Sequence, residues 1–450
     1  MASPPPTFPP RKVPIPAKGV DYRSKVVLAP MVRSGELPSR LMALRYGADL
    51  VWGPETVDRS MIGCTGSMNP RTSTLDFTRP SSNNSTSLIY RLHPELESKR
   101  LIFQLGTASP TYAVQAAHLV GASVAGIDVN AGCPKPFSTS GGMGAALLRT
   151  PDLLCEILTT LVKEVGHLYE IGISVKIRLL PEPEMTEDLV RRLCQTGITG
   201  LTVHCRTATM RPREKAIREQ LRSVATICRG HGVACLMNGD VADRDAALAL
   251  ATEYGVDGGM IATAAESNPS VFRTQAEGGQ APWSTIMREY IETALSVENR
   301  YGNTKFLLQH LIPGKNAAHK KFQSARGYVE LCAALGLDDL LATAAQVDTQ
   351  LGIRSSAVAG RISSAGAGVV VPSATSPSSS ISIKRKSVTD TSTDCDYIYD
   401  GNKNDAGARK RLVQERGSGS SSVSVVDAQA YPDLGPAPAA TAAAAAAINV

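Results

Sequence analysis

Short runs rich in valine, isoleucine and leucine recur along the first 262 residues and alternate with longer stretches of helical period. The runs are Val26–Ala29, Leu50–Gly53, Leu101–Leu105, Gly126–Val129, Ile173–Ile177, Leu201–Cys205, Val233–Met237 and Gly259–Ala262. Their near-continuous apolar character predicts strands buried on both faces, as in a parallel sheet. Between them, Ser109–Val120, Pro151–Val165, Thr186–Thr196, Lys215–Arg229 and Asp243–Glu253 carry the spacing of amphipathic helices. Eight strands feeding helices over roughly 240 residues predict an α/β fold, a (β/α)8 TIM barrel, whose usual size is ~250 residues. A doubly wound sheet is the alternative. That fold normally opens on a glycine fingerprint for a dinucleotide, whereas the turn after the first strand reads Pro30, Met31, Val32, Arg33.

The pattern changes at both ends. Residues 1–22 are rich in proline and basic residues, with no acid before Asp21, and predict a disordered segment that weakly resembles an organelle transit sequence. The barrel is expected over residues 23–275. Within it, Thr56–Arg100 is long for a βα connection and reads as a functional or disordered loop over the barrel mouth. Beyond the last strand, Trp283–Arg300, Lys305–Leu311 and Ala317–Leu335 predict a small helical domain over residues 281–345. From about Ser355 to residue 450 the chain turns to serine, glycine and alanine, a low-complexity tail expected to be disordered.

Composition narrows the class. A chain of 450 residues with 43% hydrophobic content can bury a large core. Its nine cysteines stand singly, without CxxC pairs or zinc spacing, which points to a reducing compartment, the cytoplasm first, and to no metal. No apolar stretch has the ~20 residues needed to span a bilayer, so no membrane is expected. The net charge of +6 permits a polyanionic partner without requiring one. Arg206, Arg211, Arg213, Lys215 and Arg218 form one basic cluster, and Lys315, Lys320, Lys321 and Arg326 another. Either reads as a solvated face or a phosphate grip. The tail's Lys384–Lys386 and Arg409–Arg411 could be a nuclear signal, a loose RNA contact, or solvated charge.

In a barrel the chemistry gathers where strands end, and polar or special residues recur there: Pro30 and Met31, Glu55, Gln104, Asn130, Lys176 with Arg178, His204 with Arg206, Asn238 with Gly239, and Ala262 with Thr263. An ammonium in a doubly buried strand has no water, so Lys176 is expected to point into the mouth toward an anion or to form an internal salt bridge. Gln104 and Asn130 could bond the edge of a heteroaromatic ring or tie adjacent strands together. Asn238, Gly239, Asp240 and the Gly258–Ala265 stretch offer backbone N–H groups for a phosphate. A phosphorylated, planar, amide-recognised ligand suggests FMN. The loop Asn130, Ala131, Gly132, Cys133, Pro134 then places a thiol just past a strand end, as a reactive group or as a buried packing cysteine.

Leu28–Arg33, Asn130–Pro134 continuing through Ser138 and Gly141–Ala146, Val175–Arg178 and Val203–Arg206 together resemble the tRNA-dihydrouridine synthases, in particular the eukaryotic branch acting at position 20 of the D-loop. The likeness runs from about Val26 to Gly336. It implies FMN held by Pro30, Met31, Gln104, Asn130, Lys176, His204, Asn238, Gly239, Asp240, Ala262 and Thr263, with Asn130 and Cys133 beside the uracil. It also implies NADPH as hydride donor, Cys133 as the general acid that protonates uracil C5, and tRNA phosphates gripped by Arg206, Arg211, Arg213, Lys315, Lys320 and Lys321 in a chain acting as a monomer. Two positions depart from the family pattern: Thr263 stands where arginine is common, and Cys205 where glycine is usual. The alternatives are a dihydroorotate dehydrogenase-like oxidoreductase of free pyrimidines and a flavin-free RNA chaperone.

Overall fold

The computed structural model describes residues 14–80 and 86–353. Most of the N-terminal segment and all of the expected tail, including Lys384–Lys386 and Arg409–Arg411, lie outside the described residues. Eight strands form the barrel: β1 (Lys25–Leu28), β2 (Leu50–Trp52), β3 (Leu101–Gly106), β4 (Gly126–Ala131), β5 (Gly172–Leu179), β6 (Gly200–Thr207), β7 (Ala234–Asn238) and β8 (Gly258–Ile261). Each pairs in parallel with its sequence neighbours, and β8 returns to β1, so the sheet closes without a free edge. The expected strands are all present.

Side chains alternate across the wall. Phe103, Ile127, Val129, Val175, Ile177, Val203 and Met237 face the helices and share the main core, whereas Val27, Trp52, Ile102, Leu236 and Met260 fill the interior. The ring of Tyr22 fills the N-terminal end. A Cβ on Gly200 would lie 2.8 Å from it, one on Gly126 would lie 3.2 Å from its hydroxyl, and Trp52 packs beside it with ring centroids 5.9 Å apart. Local signals start the covering helices: Ser109 accepts from Tyr112 N at the head of α2 (Pro110–Val120), and Asp243 accepts from Ala246 N at the head of α6 (Arg244–Tyr254), which ends on Gly255 at φ +70°. Between these come α3 (Pro151–Leu161), α4 (Pro183–Cys194) and α5 (Leu221–Gly230), and α1 (Leu37–Arg45), which the sequence pattern did not single out, precedes them all.

The structure corrects several expectations. Residues 56–100 are no simple loop. Thr65–Asn69, Thr74–Pro80 and Thr86–Leu92 pair as an antiparallel sheet that buries Phe77, Tyr90 and Leu92 in the barrel's outer core. The sheet is pinned at its base by Arg40 and Glu97, a fully buried bidentate pair with N–O distances of 2.7 and 2.8 Å. Helix α5 begins at Leu221 rather than Lys215, because residues 212–218 are held as a loop against the barrel. Gly258 and Gly259 belong to β8, where a Cβ would strike Lys25 O at 2.2 Å and Ala247 Cβ at 2.8 Å; packing, not anion binding, demands their smallness.

After the barrel, α7 (Trp283–Ser296), α8 (Tyr301–Leu311), α9 (Tyr328–Leu335) and α10 (Leu341–Gln350) enclose a second core with Met42 and Tyr46 of the barrel side. The expected helix over Ala317–Leu335 is broken into Ala317–Lys321 and α9. The antiparallel sheet reaches this bundle through Arg71, whose Nε lies 2.7 Å from Glu298, and through Arg91, which donates to Val297 O. Among the described residues no helix is long and apolar enough to cross a membrane.

Candidate active site

Two polar layers cross the upper barrel. In the deeper one Gln104 Nε2 donates to Asp128 at 2.8 Å, and Ser174 Oγ donates to the other Asp128 oxygen at 2.7 Å. Asp128 is fully buried, and that burial pushes its carboxyl up to about 6 against the pull of those bonds and of Lys176. Above it, Asn130 sits in register with Lys176, and His204 with Asn238. Asn238 Nδ2 donates to Met260 O at 3.0 Å.

Burial, then the nearby Arg178 charge, pulls the Lys176 ammonium down to about 8, only partly offset by Asp128. Among the described residues it makes no hydrogen bond or ion pair closer than that long-range attraction. An anion in the mouth would complete it. His204 is held neutral, down to about 2, by burial and by Lys176, Arg178 and Arg206. Arg206 Nη1 stands 3.4 Å from its Nε2, and since a guanidinium only donates, the ring proton belongs on Nδ1.

The cysteine loop is tied from three sides. Asn130 Oδ1 accepts from Gly132 N at 2.9 Å and Cys133 N at 3.0 Å, Arg178 Nε donates to Gly132 O at 2.7 Å, and Ala145 N donates to Cys133 O at 2.9 Å. Gly144 makes that last contact feasible: its φ is +57°, and a Cβ there would sit 2.5 Å from Cys133 O. Cys133 itself is partly exposed. Burial, then the Glu55 carboxyl, pushes its thiol up to about 11, so it rests protonated.

Not every expected residue faces the mouth as a free ligand. Arg206 is only 5% exposed and is consumed internally, donating to Glu214 O at 2.7 Å, Pro212 O at 3.1 Å and Asp240 Oδ1 at 2.6 Å. It is a brace for the loop after β6, not a grip on RNA. Asp240 is its counterpart. Despite some burial, Arg206 and the Ala216 N–H hold its carboxyl below the usual range, leaving its backbone, at φ +50°, beside Gly239 at φ +119°. Pro30 and Met31 follow β1, and Ala262 and Thr263 follow β8, at the same end of the barrel. Arg211, Arg213, Lys320 and Lys321 are exposed, and their side chains form no salt bridge among the described residues.

This barrel and loop match the dihydrouridine synthase family model over residues 27–330. The chain belongs to that family. It is 47% identical over 323 residues to the tRNA-dihydrouridine(20) synthase (NAD(P)+) of Saccharomyces cerevisiae, covering 70% of this chain and 84% of that protein. The protein of the same name in Schizosaccharomyces pombe is 47% identical over 71% of this chain and 66% of its own. The S. cerevisiae tRNA-dihydrouridine(20a/20b) synthase (NAD(P)+) is 26% identical over 69% of this chain and 78% of its own. In this family member two residues had escaped assignment. Asp128 looks like part of an apolar run, and Glu55, although noticed at a strand end, shows its partners Ser138 and Cys133 only once the chain is folded.

Proposed function

We propose that the protein reduces uridine at position 20 of the tRNA D-loop to 5,6-dihydrouridine, with FMN as its bound redox group and NADPH as hydride donor. The observation that carries this reading is the tethered, protonated Cys133 beside a mouth into which Lys176 brings an ammonium that forms no hydrogen bond or salt bridge among the described residues. The two relatives named for position 20 share 47% identity with the chain, against 26% for the one named for 20a/20b, which favours position 20. The same relatives favour tRNA over free pyrimidines.

The donor set suits a flavin: amides at Gln104 and Asn238, a neutral imidazole at His204, the Lys176 ammonium, and the φ-positive Gly239 backbone, where a Cβ would come within 3.4 Å of His204. Bound FMN would supply the hydride for uracil C6. Lys176 offsets negative charge in the mouth, and Gln104, with one amide N–H held by Asp128, keeps a second N–H and its carbonyl oxygen for a ligand. Cys133 donates its proton to uracil C5, a contribution of about 10²–10⁴ in rate for a positioned acid. The target base leaves its stack to reach the mouth, at a few kcal/mol. Arg211, Arg213, Lys320 and Lys321 offset this by contacting tRNA phosphates.

The test is mass spectrometry of tRNA treated with purified enzyme, NADPH and FMN. Native enzyme should convert U20, and Cys133→Ala should bind flavin but fail to convert it. Turnover of free uracil or orotate with no conversion of tRNA would refute the proposal.

A further inference from the structure

Past β2 the chain runs through Gly53 and Pro54 to Glu55, whose carboxyl meets no cation among the described residues. Oε1 accepts from Ser138 Oγ at 2.8 Å, while Oε2 is buried and, among the described residues, has no hydrogen-bonding partner. The groups that act on it are Ser138, Cys133 and Asn130, all belonging to the cysteine loop. Space for this arrangement is carved by two glycines. A Cβ on Gly106 would lie 2.7 Å from Glu55 Oε1, and one on Gly144 would lie 2.4 Å from Ser138 Oγ. A carboxyl with one oxygen buried and unpartnered is costly as an anion and stable as an acid. Its burial accordingly pushes its proton affinity above the ordinary carboxyl range.

We propose that Glu55 is a positioning residue that returns a proton to Cys133 after each turnover. The inference rests on the role given to Cys133 above. When the Cys133 S–H bond breaks and the uracil C5–H bond forms, a thiolate remains. Arg178 and Lys176 face it from β5, and Glu55 faces it from the end of β2. The Glu55 O–H bond then breaks as the S–H bond re-forms, and the carboxylate regains its proton from water at the mouth, which its partly exposed position allows. No electrons are exchanged in this step. Transfer runs downhill, because a thiol that holds its proton to about 11 takes one readily from a carboxylic acid.

The experiment is pre-steady-state reduction of tRNA by Glu55→Gln enzyme, with Glu55→Asp as a second variant. The first turnover uses the proton already on Cys133 and should match native enzyme. Later turnovers should slow at least tenfold, giving a burst, and Glu55→Asp should restore part of the steady rate. A flavin-independent readout accompanies it: alkylation of Cys133 by iodoacetamide against pH, followed by peptide mass spectrometry. Its midpoint should fall by about one unit in Glu55→Gln, because at the alkaline pH where the thiol titrates Glu55 is ionised and its charge opposes the thiolate. Equal slowing of first and later turnovers, a steady rate within twofold of native, or an unmoved alkylation midpoint would each overturn the inference. Failure of native enzyme to reduce tRNA would instead refute the function itself.

Discussion

Replacing His204 by glutamine should remove an acid-labile element from the barrel. Above pH 6.5, the ordinary value of the ring, folded and unfolded chains both carry it neutral, and it adds no pH dependence. Below that, the unfolded ring takes a proton that the folded ring, held down to about 2 by burial and three neighbouring cations, refuses. Stability therefore falls as pH drops. Between pH 8 and pH 5 the loss integrates to about 1.5 pK units, or about 2 kcal/mol, a figure insensitive to the exact folded value so long as it lies well below 5. The assay is urea unfolding of flavin-stripped native and His204→Gln protein across that range, read by circular dichroism. Other titrating groups are common to both chains and cancel to first order. The gap between the two curves should shift by about 2 kcal/mol in favour of the variant at pH 5. A gap constant within about 0.5 kcal/mol would show that the ring is solvated or charged in the fold, and the neutral-histidine argument would fail.

Two further outcomes follow from the geometry. Arg40→Met leaves Glu97 buried and unpaired and should destabilise the protein by about 3–5 kcal/mol in urea unfolding, whereas Arg40→Met with Glu97→Leu should recover most of that loss; equal destabilisation by single and double variants would refute a coupled pair. Substituting Arg211, Arg213, Lys320 and Lys321 together by alanine should lower the slope of log Kd for tRNA against log salt by about 3, at roughly 0.7–0.9 per phosphate contact, while Arg206→Ala should act mainly on stability because its side chain is internal.

The barrel was legible because its strands are buried on both faces, so Val26–Ala29 or Ile173–Ile177 need little context to be read. The antiparallel sheet was not. Thr65–Asn69 holds one strongly apolar residue, Met68, and is largely exposed, so nothing in its pattern marks a strand before Thr74–Pro80 pairs with it. Charge was read correctly but burial was not: Arg206 and Arg211 look alike in the sequence, and only the loop folded over Arg206 against Asp240 separates brace from surface. Cys133 was visible through its flanking Gly132 and Pro134. Glu55 lacked such a frame, because its meaning lies in residues from a distant loop.

The Tyr22 plug has a kinetic meaning. Among the described residues, an aromatic ring seated against Gly126 and Gly200 closes the base of the cup and leaves the end where the strands finish as its doorway. Under the proposed reaction, nicotinamide and nucleobase then queue for the same entrance. Each visitor departs before the next arrives, which sets a ping-pong order, parallel double-reciprocal plots, and inhibition by whichever substrate crowds the threshold.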